Sequence, residues 1–281
     1  MIVTGNRGLL GKSFTDYILS TGEKIIGLDI SVPRDTEFDP DSQLIELHVD
    51  LSKDEEVENL SEKLRDLSIE VSGLIHFAAI NPRYDELDYG YELYKQQNQD
   101  ILQALKVGTL GAFTLIKALD GMLSKNCSIV LIGSDLSIVS PNQILYCNCN
   151  SMNLKHDVSC RVKPLFYSID KVSAIALTRY LATFFASANR QIRVNCVCLG
   201  SVENNVDEVF KKKLSNVIPL KRQALLGEFN ETFEFMLYKS SSYQTGSVIV
   251  IDGGRTIQSP KSKFTVLNSR AGFPPTAETL T

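Results

Sequence analysis

The chain has 281 residues, 43% of them hydrophobic and 22% charged, and 29 Lys and Arg against 33 Asp and Glu give a formal net charge of −4. That is the balance of an ordinary globular protein with a sizeable core. A mildly acidic chain whose only basic run is Lys211-Lys212-Lys213 offers no electrostatic footprint for nucleic acid. No apolar run reads as long enough to span a bilayer, and no charged segment followed by an apolar one opens the chain, so no membrane association and a cytoplasmic location are expected. The six cysteines, at 127, 147, 149, 160, 196 and 198, lie in expected strands or one loop and read as reduced thiols rather than a disulfide framework.

Met1 to Thr4 is a short β-like run that enters Gly5-Asn6-Arg7-Gly8-Leu9-Leu10-Gly11, and helical patterning follows from Lys12 to Ser20. A G-x-x-G-x-x-G turn between strand and helix lets backbone approach a pyrophosphate, whose charge then sits at the helix N-terminus. The second run, Lys24 to Asp29, ends in an acid 24 residues beyond Gly5. A carboxylate there hydrogen-bonds an adenosine ribose and repels a 2′-phosphate, which favours NAD(H) over NADP(H). Arg7 and Arg34 are the counter-argument, since a guanidinium near that ribose holds a phosphate; NADP(H) therefore stays open.

Leu44 to Asp50 alternates as a third strand, and Asp54 to Leu67 is an amphipathic helix with Val57, Leu60, Leu64 and Leu67 on one stripe. Gly73 to Ala79 is a fourth strand ending in small residues, Ala78 and Ala79, where a cofactor passes close to backbone; His76 within it reads as a core histidine. A long helix is expected from Asn98 to about Leu119 and a fifth strand from Ser128 to Ser134. Periodicity fails from Asp135 to Pro164, a length that marks a functional loop. Its Cys147, Cys149, His156 and Cys160 are zinc ligands by type, but their spacing is not that of a structural zinc site, and no metal is expected. Gln191 to Gly200 is a sixth strand, a helical piece at 206–214 lies in a polar lid-like stretch, Leu225 to Lys239 is a helix, and Ser247 to Gly254 is a seventh strand and turn. Residues 259–281 read as a tail.

Tyr167-Ser-Ile-Asp-Lys171 opens a long apolar helix without Gly or Pro. Residues four apart share a helix face, so the Lys171 ammonium stands beside the Tyr167 phenol, favours the phenolate and lets the pair relay a proton to or from an alcohol or ketone. Strands alternating with helices predict one doubly wound parallel sheet of about seven strands, a Rossmann-type α/β domain over residues 1–258, with its ligand crevice at the strand C-terminal ends.

Over that length the chain resembles the short-chain dehydrogenase/reductase family. The resemblance rests on Gly5, Gly8 and Gly11, Asp29, Asp50-Leu51, Ala78-Ala79, Ser134, Tyr167 and Lys171, Ile192 to Asn195, and Ile251 to Gly254. It implies Ser134, Tyr167 and Lys171 as the catalytic set, with the dinucleotide held by residues 5–11, Asp29, Asp50, Leu51, Ala78, Ala79, Tyr167, Lys171, Gly200 and Val202. The long 135–164 segment and Ser201-Val202 look like the subgroup acting in sugar and surface-polysaccharide biosynthesis, which implies a sugar or nucleotide-linked sugar as substrate. The family also forms dimers or tetramers through the helices near 98–119 and 165–187. Two positions depart from its pattern: Gly108 stands where an Asn holds a relay water, and Leu199 replaces a Pro. They leave open a cofactor-binding regulator without turnover, beside a third reading, a reductase of acyl-carrier thioesters or other ketones.

Overall fold

The computed structural model describes residues 1–81, 96–146, 162–204 and 208–257. Strands β1 (Ile2–Thr4), β2 (Ile25–Asp29), β3 (Leu44–His48), β4 (Val71–His76), β5 (Leu123–Ser134), β6 (Arg193–Leu199) and β7 (Val248–Ile251) form one sheet in the order β3-β2-β1-β4-β5-β6-β7. Every pairing is parallel. Parallel neighbours need crossovers, which are supplied by α1 (Leu9–Ser20), α2 (Asp54–Asp66), α3 (Asn98–Val107), α4 (Thr109–Ala118), α5 (Leu165–Ser187), α6 (Glu208–Val217) and α7 (Asn230–Leu237).

Helices on both faces bury the strands twice over, so β6 is buried at every position from Arg193 to Leu199 and cannot alternate in polarity. One core layer joins the sheet to α2, α4 and α5 through residues such as Leu64, Leu74, Leu115 and Phe185. The other, under α1 and α7, contains Phe14, Ile18, Ile75, Phe229 and Phe233, with Phe233 edge-on to Phe14 at 5.5 Å and to Phe77 at 5.2 Å. Each such side chain contributes about 1.5–3 kcal/mol of burial free energy. Cys196 and Cys198 are fully buried small residues on one side of β6, with their sulfurs 3.9 Å apart. The winding direction reverses between β1 and β4, which opens the crevice at the carboxyl ends of those two strands.

Several boundaries differ from the sequence expectation. β4 ends at His76, leaving Phe77 to Ala79 as a non-strand exit. β5 starts at Leu123, five residues early, because the polar Ser124-Lys125-Asn126 carries no alternating signal. Residues 225–239 form a short 3₁₀ turn at Leu226–Phe229 before α7 rather than one continuous helix. The 98–119 helix is two helices, broken at Gly108, where φ is −78° and ψ is −99°. By length and composition Asn98–Ala118 does meet the measure of a membrane span, against expectation; in the fold its halves pack against α2 and α5 as part of the sheet's covering layer. The candidate zinc ligands Cys147, Cys149, His156 and Cys160, and the expected tail 259–281, lie outside the described residues.

Candidate active site

The crevice holds a cleft of about 480 Å³, and its floor begins at the glycine turn. Gly5 sits at φ +64°, a conformation that costs a side-chain-bearing residue energy, and a Cβ there would lie 2.8 Å from the Ala78 amide nitrogen. A Cβ at Gly11 would overlap the Gly5 carbonyl oxygen. The turn is closed by the Gly8 N–H donating to the Gly5 carbonyl at 2.9 Å, and Gly8 then serves as N-cap of α1 without a side chain in front of the helix. The first-turn N–H groups of a helix have no intrahelical acceptor and carry the positive end of its dipole. Gly5, Gly8, Leu9, Leu10 and Gly11 all line the cleft, so the turn fits a pyrophosphate.

Asp29, the acid expected at the ribose, ends β2 with both carboxylate oxygens partnered within the chain. Asp29 Oδ2 accepts from the Arg7 backbone N–H at 3.1 Å, and Oδ1 accepts from Ser31 N–H and Oγ–H at 2.9 and 2.8 Å. Arg7 does not present a free cation. Its guanidinium forks onto Glu46, Nε to Oε1 at 2.9 Å and Nη2 to Oε2 at 2.6 Å, and that hydrogen-bonded pairing holds the Glu46 carboxyl below its ordinary range. Asn6, 3% exposed, adds an Nδ2 donor to the same carboxylate at 2.7 Å. Arg34 is likewise engaged, by Glu56 at 3.1 Å. Asp50 accepts from Ser52 N–H and Oγ–H, while Leu51 is buried against Gly111 in the core. Asn6, Arg7, Asp29, Asp50, Leu51 and Ala78 stand outside the cleft lining, whereas Ala79, Gly200 and Val202 belong to it.

Across the cleft, the end of β5 presents Ser134 and the first turns of α5 present Tyr167 and Lys171. Pro164 at the N-cap of α5 starts the helix, and the Leu165 N–H is taken by Gln96 Oε1 at 2.6 Å. Lys171, 8% exposed, donates from Nζ to the Ile132 carbonyl at 3.1 Å. Ser137 Oγ donates to the Lys171 carbonyl at 2.8 Å, which ties α5 to the end of β5. In the protein alone the Tyr167 phenol is not lowered. Burial pushes Tyr167 up to about 12, with the Ser134 side chain acting in the opposite sense. His76, Nδ1 bonded to Thr4 Oγ1 at 2.9 Å, is pushed down to about 3 by burial and then by the Lys171 charge. It is a neutral core residue at physiological pH.

The cleft also contains groups that sequence reading missed. Arg255, after β7, forms a buried ion pair with Asp135, next to Ser134. Lys163 places Nζ 3.6 Å from the Tyr167 ring centre and donates to Asn81 Oδ1 at 2.7 Å; burial, aided by Lys171, pushes its ammonium down to about 7. Leu145 and Tyr146 of the expected loop pack with Phe210 and Leu214 of α6, Tyr146 lying 5.4 Å from Phe210, and so wall one side. The sequence signal for this wall was only the length of the 135–164 segment.

A family model described as enoyl-(acyl carrier protein) reductase matches residues 35–151 and 148–256. The chain belongs to the short-chain dehydrogenase/reductase family. An uncharacterized short-chain type dehydrogenase/reductase of Sinorhizobium fredii is 25% identical over 90% of this chain, which spans 43% of that longer relative. Carbonyl reductase family member 4 of Danio rerio is 27% identical, with 90% of this chain and 96% of the relative covered. Among solved folds, a short-chain dehydrogenase family protein of Francisella tularensis superposes with a TM-score of 0.73 at 23% identity, covering 92% of this chain and 98% of that one. A short-chain dehydrogenase of Leptospira borgpetersenii with bound NAD+ gives 0.72 at 21%, covering 91% of each. Membership in the short-chain dehydrogenase/reductase family makes this chain an oxidoreductase, and the glycine turn that lines its cleft is of a kind that suits a nicotinamide cofactor.

Proposed function

We propose that the protein interconverts a secondary alcohol and a ketone with NAD(H), on a sugar or nucleotide-linked sugar of glycan or polysaccharide biosynthesis. The observation that carries the reading is the shared cleft: Ser134, Tyr167 and Lys171 face the glycine turn Gly5, Gly8 and Gly11 across one cavity. A bound nicotinamide would supply hydride transfer, and residues 5–11 together with Asp29, Ala79, Lys171, Gly200 and Val202 would hold and orient it. Tyr167 gives a proton to the substrate oxygen or takes one from it, and Ser134 holds the same oxygen so that the phenol is aligned. The Lys171 ammonium stabilises charge on that phenol as the proton moves. NAD(H) rather than NADP(H) is supported by Asp29 and by the engagement of Arg7 and Arg34 with Glu46 and Glu56.

Asn81, Lys163, Asn204, Gln223 and the Asp135–Arg255 pair supply the polar lining that a polyol needs. The apolar wall of Tyr146, Phe210 and Leu214 favours a second reading, an acyl-chain ketone. We place the protein in the cytoplasm as a homodimer or homotetramer through α4 and α5, whose Leu110, Phe113, Val172, Tyr180 and Phe184 are exposed. Titration with NADH and NADPH, followed by nicotinamide fluorescence, and then with a panel of sugars, sugar nucleotides and acyl ketones tests the reading. NADH binding with substrate-dependent loss of signal is expected. Binding without turnover of any panel member would leave a cofactor-binding regulator, and no binding would refute the reading.

A further inference from the structure

The gap beside Gly108 is filled by a charge from a different helix. Asp170, on α5 and 4% exposed, aims its carboxylate at the break between α3 and α4, where Oδ1 accepts from Thr109 N–H at 2.9 Å and Thr109 Oγ–H at 3.0 Å. Thr109 Oγ–H also reaches the Asp170 backbone carbonyl at 3.1 Å. Oδ2 lies 3.7 Å from Lys171 Nζ. A side chain at residue 108 would overlap this carboxylate, so glycine there and aspartate at 170 are a matched pair. A buried carboxylate persists only with compensation, and here the N-terminus of the ten-residue α4 and the neighbouring ammonium provide it.

Resting on the oxidoreductase reading above, we propose that Asp170 is a positioning residue that fixes the Lys171 ammonium and sets the charge felt by the Tyr167 phenol, with Gly108 as the opening that admits it. The acid adds negative charge near the phenol and so opposes its ionisation, keeping Tyr167 a proton donor to higher pH. The other titratable groups around Tyr167 and Lys171 are His76 from β4, Tyr146 from the 3₁₀ turn at Gln143–Tyr146, Lys163 ahead of α5, Cys196 from β6 and the Asp135–Arg255 pair. Among the described residues α3 and α4 contribute no ion pair to Asp170.

The test replaces Tyr167 with a fluorinated tyrosine, whose phenol titrates at lower pH, and follows phenolate absorbance in the full chain without nucleotide. Asp170→Asn keeps an acceptor for Thr109 and removes only the charge; the phenol titration is expected to move to lower pH. Asp170→Ser, the second variant should the first not fold, is expected to move it the same way. An unmoved titration in either folded variant overturns the proposal. Because no nucleotide is present, failure of NADH binding or turnover refutes the oxidoreductase reading alone, and an unmoved phenol in a chain that turns over refutes Asp170 alone.

Discussion

The carboxylate of Asp170 and the missing side chain of Gly108 occupy one volume, 62 residues apart in the chain and joined through Thr109. Gly108→Ala pushes a methyl into that carboxylate and should destabilise the fold by about 1–3 kcal/mol. In the double variant with Asp170→Ala the clash is gone, so the two costs should fail to add by on the order of 1 kcal/mol. Urea unfolding of the four proteins measures this directly, and strictly additive costs would show that the two positions are independent.

Tyr167→Phe removes the hydroxyl proposed to move the proton while keeping the ring beneath Lys163. Turnover should fall by roughly 10²–10⁴, with the NADH titration curve unchanged. Full turnover in that variant would remove Tyr167 from the reaction.

Nucleotide choice should follow the carboxylates of Asp29, at the end of β2, and Glu46, in the middle of β3. Glu46→Gln combined with Asp29→Ser frees the Arg7 guanidinium and removes two negative charges from the expected ribose position. NADPH affinity should rise on the order of tenfold, about 1.4 kcal/mol, while NADH affinity falls. Fluorescence titration of both nucleotides reads the ratio; an unchanged ratio would place the adenosine ribose elsewhere.

Lys163 makes stability depend on pH in a defined sense. Burial pushes its ammonium down to about 7 in the fold, from its ordinary 10.5. Below pH 7 both states carry the proton and the fold bears the full penalty of a buried charge; between 7 and 10.5 the folded amine is neutral and the penalty fades. Lys163→Met should therefore raise the thermal midpoint more at pH 6 than at pH 10. A gain that is the same at both pH values would show that the amine stays charged.

Phe184, 51% exposed and stacked on Tyr180, tests the assembly reading. Phe184→Glu should lower the mass of the particle seen by light scattering. A parent protein that is monomeric at all concentrations would end that reading.

The parts of the site legible in sequence are those built from neighbours in the chain. Gly5 to Gly11 sit at a strand end, Asp29 closes the next strand, and Tyr167 and Lys171 are one helical turn apart, so periodicity and spacing expose them. The Asp135–Arg255 pair joins residues 120 positions apart, and the Asp170–Thr109 contact spans 61, with nothing local to announce either. Lys163 carries no sequence signal, because its place over the Tyr167 ring comes from packing that spacing does not encode. A bend at Gly108 was open to sequence reading, because a glycine tolerates it; the acid from α5 that fills the space beside it had no local signal.

Lys171 and Val172 are consecutive residues of α5, yet the first is 8% exposed and turned into the cleft while the second is 47% exposed and turned away. Successive positions on a helix point about 100° apart, so the outward rows of α5 can change by single substitutions without disturbing the rows that line the cleft. The outward face of α5 and its cleft face are thereby physically separable, although they are one residue apart in the chain.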